Sequence, residues 1–225
     1  MAAVSLKDKA YKYIKDKIVC CEYLPGQVLV EAEIIEAVGA SRTPIREALN
    51  KLEQERLVRI IAKRGVFVSD ITVATISDVY DVRELVEPYF VEKIGPHIPI
   101  ERIDELCSRV EQDEKSEMVD QQYLFDNDFH QMFISYSSNT YLEMMMEQVY
   151  AQNNRIRILS GWASQRRLDE SRKEHKEILD AMKERDFGSA ANAMRNHLQI
   201  SREAALEATT HANTGGFLIQ NNIIL

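Results

Sequence analysis

Apolar residues recur at the three-to-four residue interval of a helix along most of the chain, with one short stretch of a different pattern. Leu6, Ala10, Tyr13, Ile14 and Ile18 form an apolar stripe over residues 5–21, and lysines fill the opposite face. Leu24-Pro25-Gly26 ends that helix in a turn. Ile34, Ile35 and Val38 predict a short second helix over 31–38, with Gly39 as its stop. Ser41 suits an N-cap, and Pro44 suits a first turn, where its missing N–H has no helical partner in any case. Ile45, Ala48, Leu49 and Leu52 carry a third helix to about Arg56. Residues 57–61 and 65–68 read as β-strands around the basic turn Ala62-Lys63-Arg64, a small hairpin.

Beyond a linker at 71–75 the helical pattern returns and persists. It predicts helices near 72–95, 101–118, 120–137, 139–160, 165–185 and 188–208. The breaks are Gly95-Pro96 with Pro99, Ser137-Ser138-Asn139, Gly161 and Asp186-Phe187-Gly188. The expected architecture is mainly α: an N-terminal winged helix-turn-helix over 1–70 and an all-α bundle over 76–210. The last stretch, 211–225, is polar and then apolar, and no element or role is assigned to it.

Composition narrows this picture. Of the 225 residues, 45% are hydrophobic and 28% charged, the balance of an ordinary globular protein. No apolar run is long enough for a membrane span, and the N-terminus has no apolar signal core, so a cytoplasmic protein is expected. Cys20, Cys21 and Cys107 lack any paired spacing and read as reduced thiols. The net charge of −8 argues against nucleic acid until it is divided. Residues 1–70 hold 12 Lys+Arg against 10 Asp+Glu, and residues 71–225 hold 16 against 26. The basic excess sits in the winged-helix segment alone, and the acidic remainder is repelled by DNA.

In a helix-turn-helix the second helix meets base edges with its N-terminal residues, while hydroxyls and the helix N-terminus meet phosphates. Ser41, Arg42, Thr43 and Arg46 suit those tasks. Arg42 and Arg46 share a helix face, and arginine is shaped for bidentate contact with guanine. Lys63 and Arg64 on the wing can reach phosphates or a minor groove, with Gly65 permitting close approach. The competing reading has Arg42 and Arg46 as solvated surface charges paired with Glu47 or Glu53. The stretch LPGQVLVEAEIIEAVGASRTPIREALNKLEQERLVRIIAKRGVFV, 24–68, resembles the DNA-binding domain of the GntR family of bacterial regulators, and SRTPIREAL is its most specific block. The resemblance implies that Arg42, Thr43, Arg46 and Gly65 face double-stranded DNA. One departure is Ala32, where many members carry a basic residue; it implies one contact fewer and a different operator.

Five histidines occur, and three fall on inward stripes. His130 lies one turn after Asp126; His175 shares a stripe with Ile178, Leu179 and Met182; His197 shares one with Ala190, Met194 and Leu198. Each alone is ordinary as a hydrogen-bonded core residue. Together, three imidazoles and a carboxylate suit Zn²⁺, Ni²⁺ or a similar ion with positions left open. LFDNDFHQMF, EHKEILDAM and AMRNHL resemble the FCD ligand-binding domain of the FadR branch of the GntR family. That resemblance implies Asp126, His130, His175 and His197 as ligands of a divalent metal, and a small organic acid whose carboxylate completes the coordination. Arg83, in an Arg-x-x-x-Glu pattern with Glu87, has two readings: a clamp for the effector carboxylate, or an i, i+4 salt bridge. Pro88 predicts a kink or break beside it. Arg155 and Arg157 are further pocket candidates.

These features predict a regulator, acting as a repressor: a homodimer on a palindromic operator, sensing an organic acid, with no membrane contact and no enzymatic activity. A di-iron oxygenase is disfavoured because the residues three before the histidines, Asn127, Arg172 and Met194, are not acidic. A mononuclear hydrolase lacks an obvious general base. A regulator for which the metal itself is the signal stands as a further reading.

Overall fold

The first helix, α1 (Leu6–Val19), begins at Ser5, whose hydroxyl accepts the Asp8 N–H at 3.1 Å. Its stripe buries Ala10, Ile14 and Ile18. α2 (Glu31–Val38) ends at Gly39, which adopts φ 70, a left-handed turn that glycine enters without strain. Lys9 Nζ donates to the Val38 carbonyl at 2.7 Å, satisfying an acceptor that the end of α2 leaves open. α3 (Arg42–Gln54) buries Ile45, Ala48, Leu49 and Leu52 against α1. The computed structural model describes residues 5–113, 119–160 and 165–213 of the chain.

The hairpin forms as β2 (Val58–Ile61) and β3 (Gly65–Val68), antiparallel, with Val58 opposite Val68 and Ile61 opposite Gly65. Lys63 (φ 62) and Gly65 (φ 110) turn it. β1 (Val28–Leu29) adds to the other edge of β3, with Val28 opposite Phe67. Periodicity does not predict that strand, because two residues cannot display an alternation. Leu29, Val58, Val66 and Val68 complete one core with the three helices. Three helices and a wing make the expected winged helix-turn-helix.

The chain divides into two compact units: residues 5–72 with Tyr150–Leu159, and Val73–Val149 with 160–213. Thus the second half of α7 (Thr140–Leu159) clusters with the winged helix. Its Arg155 is fully buried there, donating to the Ser69 carbonyl and, at 2.9 Å, to Gln152 Oε1. Gln152 Nε2 donates in turn to the Arg56 carbonyl at 3.3 Å. Burial pulls the Arg155 guanidinium down to about 10, so it remains charged at neutral pH. This replaces the expectation of Arg155 as a pocket residue. Arg155→Ala is expected to cost about 2–4 kcal/mol, because it opens a cavity and strips two acceptors of their donor. Urea unfolding of the first unit checks this; an unchanged midpoint would refute it.

The second unit is helical. α4 (Val73–Lys93) packs on α9 (Phe187–Asn213) and α6 (Val119–Ser135), and α8 (Gln165–Lys183) packs on α9 and α5 (Ile100–Asp113). Phe90, Phe125, Phe129, Phe133, Leu179, Met194 and Leu198 are among its buried residues. α4 runs unbroken through Pro88. The ring removes one ladder donor, but Glu87, Pro88, Phe90 and Val91 are all buried, and that packing outweighs the local loss. Gly95, in a 3₁₀ turn after α4, is needed for a different reason: a Cβ there would stand 2.8 Å from the Phe187 ring. α9 begins one residue before the expected point, with Asp186 Oδ1 accepting the Ser189 N–H at 2.9 Å, and continues past 208 to Asn213. Residues 114–118, within the helix expected at 101–118, the expected break at Gly161, and 214–225 of the C-terminal stretch lie outside the described residues.

Candidate metal centre and DNA-reading surface

α6 places Asp126 and His130 on one face, one turn apart; α8 brings His175 and α9 brings His197. One ligand atom from each of the four lies within 4.8 Å of the others. The imidazoles are buried together, with ring centroids 4.5 Å apart for His175 and His197 and 5.3 Å apart for His130 and His197. Phe129 walls the group, 4.5 Å from the His175 ring and 4.9 Å from the His130 ring. Asp126 is half-buried, with Oδ1 3.8 Å from His130 Nε2 and 3.6 Å from His175 Nε2. Those gaps exceed a hydrogen bond. They come close to the roughly 3.3–3.6 Å between neighbouring tetrahedral ligands on an ion held by bonds of about 2.0–2.2 Å. Three imidazole nitrogens and one carboxylate are a donor set for borderline divalent ions, so residues and group fit.

Behind this set stand two further carboxylates. His130 Nδ1 lies 2.7 Å from Glu87 Oε2, and Arg83 Nε donates to Glu87 Oε1 at 2.5 Å. His197 Nδ1 lies 2.7 Å from Glu174 Oε2, and Arg167 grips both Glu174 oxygens at 2.8 and 2.9 Å. Burial alone would raise the Glu87 carboxyl, but Arg83 and His130 hold it down to about 2. Burial likewise opposes, and His197 and Arg167 outweigh, in lowering the Glu174 carboxyl. Burial also lowers His197, favouring the neutral imidazole that a ligand must be. Of the two readings of Arg83, the observed geometry is the i, i+4 pair with Glu87, buried on both sides. Sequence reasoning missed Glu174 and Arg167. The available signal was thin: Glu174 precedes His175 directly. On the flank, Arg102 and Arg109 of α5 both bond to Asp128 of α6, tying those helices together.

The DNA-facing candidates are all exposed. Ser41, Arg42 and Thr43 open α3 and Arg46 lies one turn on, while Lys63, Arg64 and Gly65 form the wing turn. Ser41 occupies the N-cap position in extended backbone, but its hydroxyl makes no capping bond, contrary to expectation. Arg46 pairs with Glu31 of α2 at 3.4 Å, not with Glu47 or Glu53. Glu47 faces Lys7 at 3.8 Å, and Glu53 accepts the Ile60 N–H at 2.7 Å.

A winged helix-turn-helix joined in one chain to a helical unit with a buried histidine cluster defines a class: DNA-binding regulators with a sensing domain. The family described as bacterial regulatory proteins, gntR family, matches residues 6–68, and the FCD domain family matches residues 78–200. The chain belongs to the GntR family of transcription regulators and carries an FCD domain. It is 30% identical over 196 residues to an HTH-type transcriptional regulator in an unstable DNA locus of Streptomyces ambofaciens, spanning 84% of this chain and 80% of that one. It is 25% identical over 202 residues to the HTH-type transcriptional repressor RspR of Escherichia coli, spanning 88% of each. A GntR regulator from Rhodococcus sp. RHA1 has a similar fold, with TM-score 0.77, 23% identity, and coverage of 91% of this chain and 99% of that one. The protein is therefore a DNA-binding transcription regulator and not an enzyme. Among the described residues, no helix is long and apolar enough to cross a membrane.

Proposed function

We propose that this protein is a homodimeric repressor of the FadR branch that acts in the cytoplasm and senses a small organic acid through a divalent metal, Zn²⁺ or Ni²⁺. The observation that carries this reading is the convergence of Asp126, His130, His175 and His197 inside the FCD domain. A bound ion would supply Lewis-acid positions for an effector carboxylate. The chain's own residues do the rest: three buried imidazoles and Asp126 fix the centre, and Phe129 excludes water from one side. Arg83 contributes through Glu87. Two-fold symmetry of the dimer calls for a palindromic operator with half-sites about one DNA turn, roughly 34 Å, apart. On each half-site Arg42 and Arg46 read base edges, Ser41 and Thr43 meet phosphates, and Lys63 and Arg64 reach the backbone beside Gly65. RspR, named a repressor, supports the sign of regulation.

The test is a mobility-shift titration on an operator selected from random duplexes, run with Zn²⁺ alone and with Zn²⁺ plus a panel of small mono-, di- and tricarboxylic acids. At least one acid is expected to change DNA affinity by about 5- to 150-fold, the usual range of coupling between sites. If Zn²⁺ alone produces the whole change, the ion is the signal and the acid reading falls.

A further inference from the structure

Resting on the metal reading above, we infer that Glu87 and Glu174 are positioning residues that lock His130 and His197 with Nδ1 protonated, so that each presents the lone pair of Nε2 to the metal. An ionised carboxylate accepts and cannot donate, so an imidazole nitrogen 2.7 Å from it must carry the proton. In the neutral ring the other nitrogen then carries no proton. Each carboxylate is kept charged in the interior by its own arginine on the same helix, Arg83 for Glu87 on α4 and Arg167 for Glu174 on α8. Arg167 Nη2 is itself placed by Ser201 Oγ of α9 at 2.9 Å. Such carboxylate–histidine pairs orient metal ligands and raise their basicity.

The same two relays set the charge of the centre. Each arginine–glutamate pair is neutral as a unit, so the relays add no net charge. Asp126 is then the one formal charge among the four ligands. A divalent ion there leaves about one positive charge uncancelled, which favours an anion in the open position. That charge balance supports the carboxylate effector proposed above over a neutral polyol or an amine.

Two measurements on the full chain test the lock. In metal-free protein, long-range ¹H–¹⁵N correlation of the imidazoles should show the Nδ1–H tautomer for His130 and His197. Glu174→Ala should move His197 toward the Nε2–H form and leave His130 as it was; Glu87→Gln, whose amide oxygen can still accept from Nδ1, should relax His130 only in part. Competition against a chromophoric chelator should then show Zn²⁺ affinity reduced about 10- to 100-fold in Glu174→Ala, with Glu174→Gln intermediate, because its amide oxygen can still accept from Nδ1. An unchanged His197 tautomer together with Zn²⁺ affinity within about twofold of wild type would overturn the inference. A wild-type chain that takes up no Zn²⁺ overturns the metal reading alone, and the lock is then decided by the tautomer spectra.

Discussion

Replacing both Arg42 and Arg46 with alanine is expected to abolish specific operator binding while leaving the fold intact. Both side chains are exposed on the first two turns of α3, and alanine is the strongest helix former, so the winged helix keeps its core of Ile45, Ala48, Leu49 and Leu52. Arg46 forfeits only its ion pair with Glu31, an exposed contact worth about 0–1 kcal/mol. On DNA the stakes are larger. A bidentate arginine–guanine contact discriminates by about 1–3 kcal/mol, so losing two costs about 2–6 kcal/mol, roughly 30-fold to 10⁴-fold in affinity. Mobility-shift titration at fixed salt measures it, with circular dichroism confirming the fold. A double variant that binds the selected operator normally would remove α3 from the role of reading helix.

Much of this surface is legible in the sequence, because SRTPIREAL places Arg42 and Arg46 by local periodicity alone. The same holds for the stripes that bury Ile14, Leu49 and Leu179, and for Asp126 with His130, which one turn of helix joins. What escapes is of three physical kinds. Glu87 meets His130 across 43 residues and Glu174 meets His197 across 23, and no helical spacing encodes either contact. Pro88 obeys tertiary burial against its own local rule. Arg155 and Arg157 look alike in sequence, yet Arg155 is fully buried against the Ser69 carbonyl while Arg157 is half-buried, a difference that only packing creates. The overlooked contacts join residues distant in sequence, and two of them, Glu87 with His130 and Glu174 with His197, back the candidate centre.

His175→Leu is expected to separate the two possible roles of the histidine cluster by the sign of its effect. Leucine approximates the buried volume and brings no polar atom, so the metal-free protein should unfold within a few degrees of wild type. Zn²⁺ should behave differently. Binding to the folded state alone stabilises by about 2.7 kcal/mol when the free ion is at 100 times its dissociation constant. At about 2–4 °C per kcal/mol for a chain of this size, the wild-type transition of the second unit should rise by roughly 5–11 °C and fall back on adding a chelator. In His175→Leu the remaining Asp126, His130 and His197 lack the fourth ligand, and the rise should vanish. A purely structural cluster predicts the reverse pattern: no response to Zn²⁺ in either protein, and a stability change confined to the metal-free state. An equal rise in both proteins would place the ion elsewhere and leave His175 as a packing residue beside Phe129.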